Sequence, residues 1–523
     1  MAKKEKKTSL TEISVEDLPE IKFTPAPALK KFENKQQINV RYALIEPFVS
    51  VHIYWNQQIG ELVYEIEEPL LTKEEYEVMK RLESSITELL NVNMLKDKEE
   101  KAIVEYLHKT AKLLVSELGL KINLETYRRI FYYLWRDFIG MNEIEPLLKD
   151  FFIEDIECNG FNSPVYIVHR VYRNLRTNLV YKDVKYLASF VEKLAQRAGR
   201  YISYATPILD GTLPDGSRVN ATYSTDVTSK GPTFTIRKFT RVPWTPPQLL
   251  AFNTLSPEML AYFWLLIQYK SNILITGGTG SGKTTFLNAI AFFIPPEARV
   301  VSIEDTRELS LPRENWLPSV SRTGVGTAGA GEVDLFSLLR ASFRQNPDYV
   351  IVGEVRGKEA SVLFQGMASG HPSLSTFHAD SVDTVINRLQ TPPINLSPTL
   401  INILDAVVVA THATVKNQET RKIREVVEIL NFTPQGGVTV NIPFKWNPQN
   451  DVFYFKMQSR VFEKIMQRYG LSQQKLISEF QARTRIMQEL AKRKIFDFNI
   501  VQRIVNDYYK NPQLVLQKLG IIK

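Results

Sequence analysis

Asn272-Ile273-Leu274-Ile275-Thr276 is a short apolar run, and Gly277-Gly278-Thr279-Gly280-Ser281-Gly282-Lys283-Thr284 follows it directly. The first five residues suit a buried strand. The next eight fit the pattern G-x-x-x-x-G-K-[ST], and a helix is expected from Thr285 to Phe293. Strand, glycine-rich loop and helix in that order form a phosphate cradle. The glycines let the loop, with Thr279 and Ser281 inside it, wrap a phosphate and turn N–H groups inward. The helix opening at Thr285 adds its positive end. Lys283 brings a point charge to the β- and γ-phosphates, and the Thr284 hydroxyl can ligate Mg²⁺. Four such fixed positions arise by chance in roughly one chain in fifty of this size. The flanking strand and helix make coincidence rarer still, so nucleotide binding is expected.

Working outward, Arg299-Val300-Val301-Ser302-Ile303 is a second strand, ending in Glu304-Asp305. A third, Tyr349-Val350-Ile351-Val352, ends in Gly353-Glu354. Ligands of open parallel sheets sit beyond the carboxyl ends of the strands. Glu304, Asp305 and Glu354 are therefore expected to converge on the nucleotide, holding Mg²⁺ through water or orienting the attacking water. The segment Gly370–Asp380 carries His371 and His378, two of six histidines. His378, at a strand end, could contact the γ-phosphate. A zinc site is not expected, because no helical i, i+4 histidine pair with a glutamate occurs. Arg340 and Arg344 stand one helical turn apart before the third strand. Arg218 and Arg237 precede a linker marked by Pro243, Pro246 and Pro247. Phosphoryl transfer needs added positive charge on the γ-phosphate, and arginines from a second domain would tie catalysis to domain closure.

The chain has 523 residues, 44% hydrophobic and 23% charged, which excludes global disorder and suggests about three domains. No run of about 18 apolar residues marks a membrane span. Met1–Leu10 is Lys-rich without an apolar core behind it, so no secretory signal and a cytoplasmic location are expected. Cys158 is the single cysteine, which excludes an internal disulfide and a cysteine-built zinc site. The net charge of +8 and pI near 9.1 are compatible with nucleic acid, an anionic membrane or plain solubility. Residues 1–35 read as a mobile tail and 36–145 as a strand patch followed by helices, with a capping box at Thr72 and Glu75. Residues 146–240 read as an α/β subdomain. It holds a helix from Val184 to Arg197 and an Asp-Gly hairpin from Asp210 to Val219. Residues 241–247 are the linker. Strand–helix alternation over 248–420 gives a parallel sheet flanked by helices, and 421–523 read as mainly helical.

Taken in order, these segments resemble the secretion ATPase superfamily, which powers type II secretion, type IV pili, archaella and type IV secretion. The phosphate loop discriminates little. Ile303–Leu309 resembles the family's acidic box, Leu339-Arg340 through Pro347-Asp348 its arginine-rich lead-in, Val352–Arg356 its atypical second phosphate-site motif and Gly370–His378 its histidine box. Asn315-Trp316 and the Leu213–Val219 hairpin resemble the archaeal and type IV secretion branches. Gly353 stands where many P-loop enzymes carry an Mg²⁺-binding aspartate, a feature the family shares.

The resemblance implies an α/β fold: a RecA-like P-loop core, an α+β N-terminal domain before it and a helical C-terminal segment after it. It implies a hexameric ring that hydrolyses ATP with Mg²⁺. Glu354 would be the catalytic glutamate with Glu304 beside it, and Arg218 and Arg237 the N-terminal domain's arginines. Either acid can polarise the water. The implied role is a cytoplasmic motor at the inner face of the membrane. It would act on a polytopic membrane platform protein and drive assembly of a pilus-like filament or secretion. Archaellum assembly and rotation is the nearest alternative. A nucleic-acid translocase on the same core is an alternative of another class, and no basic stripe with interleaved aromatics supports it, so no nucleic-acid partner is expected.

Overall fold

The computed structural model describes residues 21–24, 27, 29, 34–89, 100–239, 242–322, 331–415, 418–432 and 438–522. Most of the expected N-terminal tail, residue 240 and the first linker residue, 241, lie outside them. The chain divides into two compact units after Phe239.

The first unit contains β1 (Lys22–Phe23), β2 (Asn39–Glu46), β3 (Val49–Asn56), β4 (Glu61–Glu67), α1 (Lys73–Leu89), α2 (Glu100–Glu117), α3 (Leu124–Leu134) and α4 (Glu145–Lys149). It continues with β5 (Ile153–Cys158), β6 (Pro164–His169), β7 (Arg173–Val180), α5 (Val184–Arg197), β8 (Ile208–Thr212), β9 (Arg218–Thr222) and β10 (Thr233–Arg237). All ten strands form one sheet in the order β1-β2-β3-β4-β7-β6-β5-β10-β9-β8. The expected division between 36–145 and 146–240 is therefore corrected: one sheet crosses it. Parallel pairing of Val63 with Arg176 and Tyr64 with Thr177 makes the join. Asn178 reinforces it, its side chain accepting from the Ile66 N–H and donating to the Ile66 carbonyl, both at 3.0 Å. Such long-range pairing is not visible in local sequence patterns. Thr72 and Glu75 do form a reciprocal capping box at the start of α1.

The second unit opens with α6 (Pro246–Ala251), α7 (Pro257–Gln268), β11 (Ile273–Thr276), α8 (Lys283–Ala291), β12 (Val300–Glu304), β13 (Trp316–Val320), α9 (Leu335–Ser342) and β14 (Tyr349–Val355). Next come α10 (Glu359–Ala368), β15 (Ser373–Phe377), α11 (Val382–Gln390), α12 (Pro398–Ile401), β16 (Ala406–Val415), β17 (Gln418–Phe432), β18 (Val438–Asn447) and β19 (Val452–Phe455). Four helices close the chain: α13 (Arg460–Tyr469), α14 (Gln473–Lys492), α15 (Phe498–Lys510) and α16 (Pro512–Lys518). The sheet order is β13-β12-β14-β15-β11-β16-β17-β18-β19, parallel through β16 and antiparallel beyond. The phosphate-loop strand β11 sits inside the parallel part, with β15 between it and β14, which is the RecA-like arrangement. The segment from residue 421 is mainly helical, as expected, but it opens with strand: β17–β19 extend the same sheet to residue 455. Bulges near Val426 and Ile429, and the buried polar Lys422 and Glu428, break the alternation that announces a strand.

The terminal helices belong to the core of this unit. Ser256 caps α7, Pro257 opens it, and every residue from Met259 to Ile267 is fully buried. An all-apolar helix needs cover on every side. The Trp264 ring stacks on Phe293 at 5.0 Å and meets Tyr508 of α15 edge-on at 5.1 Å. Arg483 of α14, itself buried, lies 5.3 Å over Trp264 and donates to Gln268 at the end of α7.

Candidate functional site

Gly277 follows the last residue of β11, where Thr276 pairs in parallel with Val409 of β16 and Phe377 of β15. A Cβ at Gly277 would overlap the Ala410 carbonyl oxygen and the Ser281 hydroxyl, so only glycine fits. Gly280 and Gly282 have φ of 70° and 90°, a region that favours glycine. Gly282 caps α8. The N–H groups of Lys283, Thr284 and Thr285 belong to the first helical turn, where no intrahelical acceptor exists. Lys283 Nζ donates to the carbonyls of Gly277 and Gly278, both at 2.9 Å, folding the lysine over the loop. The Ser281 hydroxyl donates to the Gly278 carbonyl at 2.8 Å. Thr279 Oγ1 lies 2.9 Å from His378 Nε2 at the end of β15, so His378 touches the loop directly.

The carboxylates stand on the same edge. Ile303 of β12 pairs with Val352 of β14, which puts Glu304 beside Gly353. Glu304 is 1% exposed. Its Oε1 accepts the N–H groups of Glu308 and Leu309 at 2.9 Å, while Oε2 is buried with no protein partner among the described residues. Burial pushes the carboxyl up to about 7, against the pull of those two N–H groups. A Cβ at Gly353 would lie 3.0 Å from Glu304 Cγ. The glycine in place of the usual aspartate thus has a steric reason: Glu304 fills that space. Glu354 sits half-buried in β14, within a register shift between Val352 and Val355 that re-aims its neighbours. Asp305 is engaged elsewhere. It pairs with Arg356 and accepts from the Ser321 hydroxyl at 3.1 Å.

Three other expected residues of this unit, Arg340, Arg344 and His371, are not gathered here. Arg340, on α9, is exposed over Phe336, and Arg344 follows it on the approach to Tyr349. Both lie at the amino end of β14, opposite Glu354. His371 precedes β15 and packs on Phe343, again at the far end of the strand from His378. In the first unit, Arg218 and Arg237 are directly paired across β9 and β10 on one exposed face. Arg218 also holds Asp210 at 2.8 Å. Like charges placed opposite each other on a sheet repel, and here an acid flanks each arginine, because Arg237 pairs on its other side with Asp155 of β5.

Residues missed by the sequence analysis come from β17. Arg421 Nε donates to the Gly280 carbonyl at 2.9 Å, and Arg424 Nη2 to the Asp380 carbonyl at 3.1 Å. Nothing in a local motif points from β17 to the loop. The cue lay in the paired runs 406–415 and 418–432, which form a hairpin whose base reaches β11.

Among the described residues no three His, Cys, Asp or Glu side chains form a metal-binding group. Mg²⁺ is typically held by one or two protein oxygens together with substrate phosphates. Thr284 at the helix start and Glu304, whose Oε2 has no protein partner among the described residues, supply oxygens of the kind this mode uses. No helix among the described residues is long and apolar enough to cross a membrane.

The chain is similar to several known proteins. It is 41% identical over 398 residues to the uncharacterized protein MJ0900 of Methanocaldococcus jannaschii, covering 75% of this chain and 71% of that one. It is 35% identical over 228 residues to the type IV secretion system protein PtlH of Bordetella pertussis, covering 39% of this chain and 66% of that one. Among solved structures, the VirB11 ATPase of the Brucella suis type IV secretion system aligns over 55% of this chain and 96% of that one, at 24% identity and a TM-score of 0.29. The pilus retraction motor PilT aligns over 68% and 93%, at 16% identity and a TM-score of 0.36. A model of the type II/IV secretion system protein family matches residues 141–491. That span is more than half of the chain and takes in the Arg218–Arg237 pair, the phosphate loop and both strand-end acids, so the chain belongs to the type II/IV secretion system family of ATPases.

Proposed function

We propose that the chain is an Mg²⁺-dependent ATPase motor that works as a homo-hexamer at the cytoplasmic face of a membrane. In this reading ATP hydrolysis drives assembly of a type IV pilus-like filament, or secretion, through a polytopic platform protein. The observation that carries it is the Gly277–Thr284 loop flanked by Glu304, Glu354 and His378 on one sheet edge. Lys283 would leave the Gly277 and Gly278 carbonyls for the β- and γ-phosphates. The N–H groups at the start of α8 bind phosphate oxygens. Water attacks the γ-phosphorus as its bond to the ADP oxygen breaks. Glu354 or Glu304 orients that water and takes up its proton; for Glu304, burial pushes the carboxyl up to about 7, which suits the task. Thr284 and the acids, through water, are the residues that would hold Mg²⁺, which neutralises phosphate charge when bound. His378 would report the γ-phosphate through its contact with Thr279. Arg218 and Arg237 are assigned the stabilisation of charge in the transition state.

Phosphate release by the purified chain, with ATP and titrated Mg²⁺, tests the enzymatic part. No release above that of Lys283→Ala overturns it. Deletion of the gene tests the role. Loss of surface pili with swimming retained fits filament assembly. Loss of swimming with pili retained assigns the chain to the archaellum instead.

A further inference from the structure

The sixth and seventh strands of the second sheet in chain order form a hairpin that flanks the phosphate loop on the side away from His378. The strand order settles the sides, because β11 has β15 with His378 on one side and β16 with β17 on the other. Both hairpin strands reach the loop. The Ala410 carbonyl of β16 closes off the Cβ position of Gly277. Arg421 of β17 donates from Nε to the Gly280 carbonyl, and its stem covers Gly282, where a Cβ would lie 3.2 Å from Arg421 Cδ. The register shifts between Val409 and Ala410 at the level where the loop begins. Bulges beside functional sites re-aim side chains in this way.

The arginine sits on a firm mount. Lys422, the next residue, points to the opposite face and is 2% exposed. It donates to the Asn253 carbonyl at 2.7 Å and pairs with Asp451 at 2.6 Å. The Ile423 N–H donates to the Thr254 carbonyl at 2.9 Å. Arg421 itself is only half-buried, pairs across the hairpin with His412, and hydrogen-bonds through its side chain from Nε to the Gly280 carbonyl.

In a trans peptide the carbonyl and the following N–H point in opposite directions. Holding the Gly280 carbonyl outward therefore aims the Ser281 N–H back across the loop. There it makes a bond of 3.4 Å to the Gly278 carbonyl, long for an N–H···O bond and easily exchanged for a phosphate oxygen. We propose that Arg421 is a nucleotide-positioning residue: it fixes the Gly280–Ser281 peptide for phosphate binding and couples the β16–β17 hairpin to occupancy of the loop. The site takes nucleoside di- and triphosphates alike, because what Arg421 holds is a loop peptide common to both. This rests on the loop being the nucleotide site. Coupling is reciprocal, so nucleotide must also order the hairpin.

The experiment uses the full chain and a fluorescent ADP analogue. Arg421→Gln should raise the Kd for ADP and the KM for ATP about tenfold, the size of a lost charge-assisted contact. The loss falls mainly on KM, whereas Glu354→Gln loses kcat. Arg421→Lys should restore part of the affinity. Hydrogen exchange should show ADP slowing amides 418–424 in the parent and not in Arg421→Gln. A melting temperature of the ligand-free variant close to the parent's separates positioning from folding. If the parent binds ADP and Arg421→Gln binds it equally well, or if the hairpin amides do not respond to ADP, the proposal is overturned. If the parent binds no nucleotide, the reading of the loop fails instead. If Arg421→Gln melts much lower, the same affinity and exchange comparison on Arg421→Lys decides.

Discussion

Replacing Glu304 by glutamine should change how stability depends on pH, and the structure sets the size. The carboxyl titrates near 7 in the folded chain against an ordinary 4.5. At 1.36 kcal/mol per pH unit, this gap corresponds to about 3 kcal/mol. The sign follows from proton counting. Between pH 4.5 and 7 the folded state keeps a proton that the unfolded state has released, so stability falls as pH rises through this window and levels off above it. Glutamine cannot ionise, and it keeps an oxygen for the Glu308 and Leu309 N–H groups. Denaturant unfolding of the ligand-free parent and Glu304→Gln, from pH 4.5 to 8, gives the difference directly. Contributions from other groups cancel in the comparison. The variant should match the parent near pH 4.5 and gain about 2–3 kcal/mol on it by pH 8. Curves that stay parallel over the whole range would show that Glu304 is not a desolvated carboxyl, and its assignment as a proton acceptor near neutrality would go with it.

Lys283→Ala should abolish turnover and weaken ADP binding roughly ten- to hundredfold, with the melting curve retained, as read by phosphate release and ligand fluorescence. Glu354→Gln should bind ATP with near-parent affinity and hydrolyse it at least about a hundredfold more slowly; single-turnover kinetics check both. Arg218→Ala and Arg237→Ala should each lower kcat on the order of 10³-fold with ADP affinity intact; turnover at saturating ATP near the parent's would mark them as surface residues.

The parts legible in the sequence are those whose signals are local. Asn272–Thr276 and the loop after it carry their own pattern, and Thr72 with Glu75 announces a helix start. Val184–Arg197 appears as a helix with the predicted bounds. The Asp215-Gly216 turn was equally plain: Gly216 adopts φ of 94°, and Asp215 accepts from the Ser217 N–H at 3.0 Å. What stayed hidden depends on partners far along the chain. Lys422 and Glu428 read as solvent-facing charges, yet both are buried because Asp451, Asn253, Tyr262 and Ser459 satisfy them. Asp305 reads as a site acid until Arg356 is seen to hold it. Arg421 reaches Gly280 across 141 residues of sequence, and no spacing rule reports such a contact.

The wrapping of α7 by the chain's last helices also governs how the protein can be made. The first unit has all of its strands once residue 237 has left the ribosome, so it can fold while synthesis continues. The second cannot finish. Arg483 follows its partner Gln268 by 215 residues, and Tyr508, which covers Trp264, comes later still. At about 5–20 residues per second, α7 is translated roughly 10–40 seconds before Arg483. For that interval one of the most apolar segments of the chain has Phe286 and Phe293 against it but lacks the cover of α14 and α15, and exposed apolar surface of this kind is what chaperones capture. A stop codon between α8 and α15 would leave a complete phosphate loop on a domain whose α7 lacks its last cover.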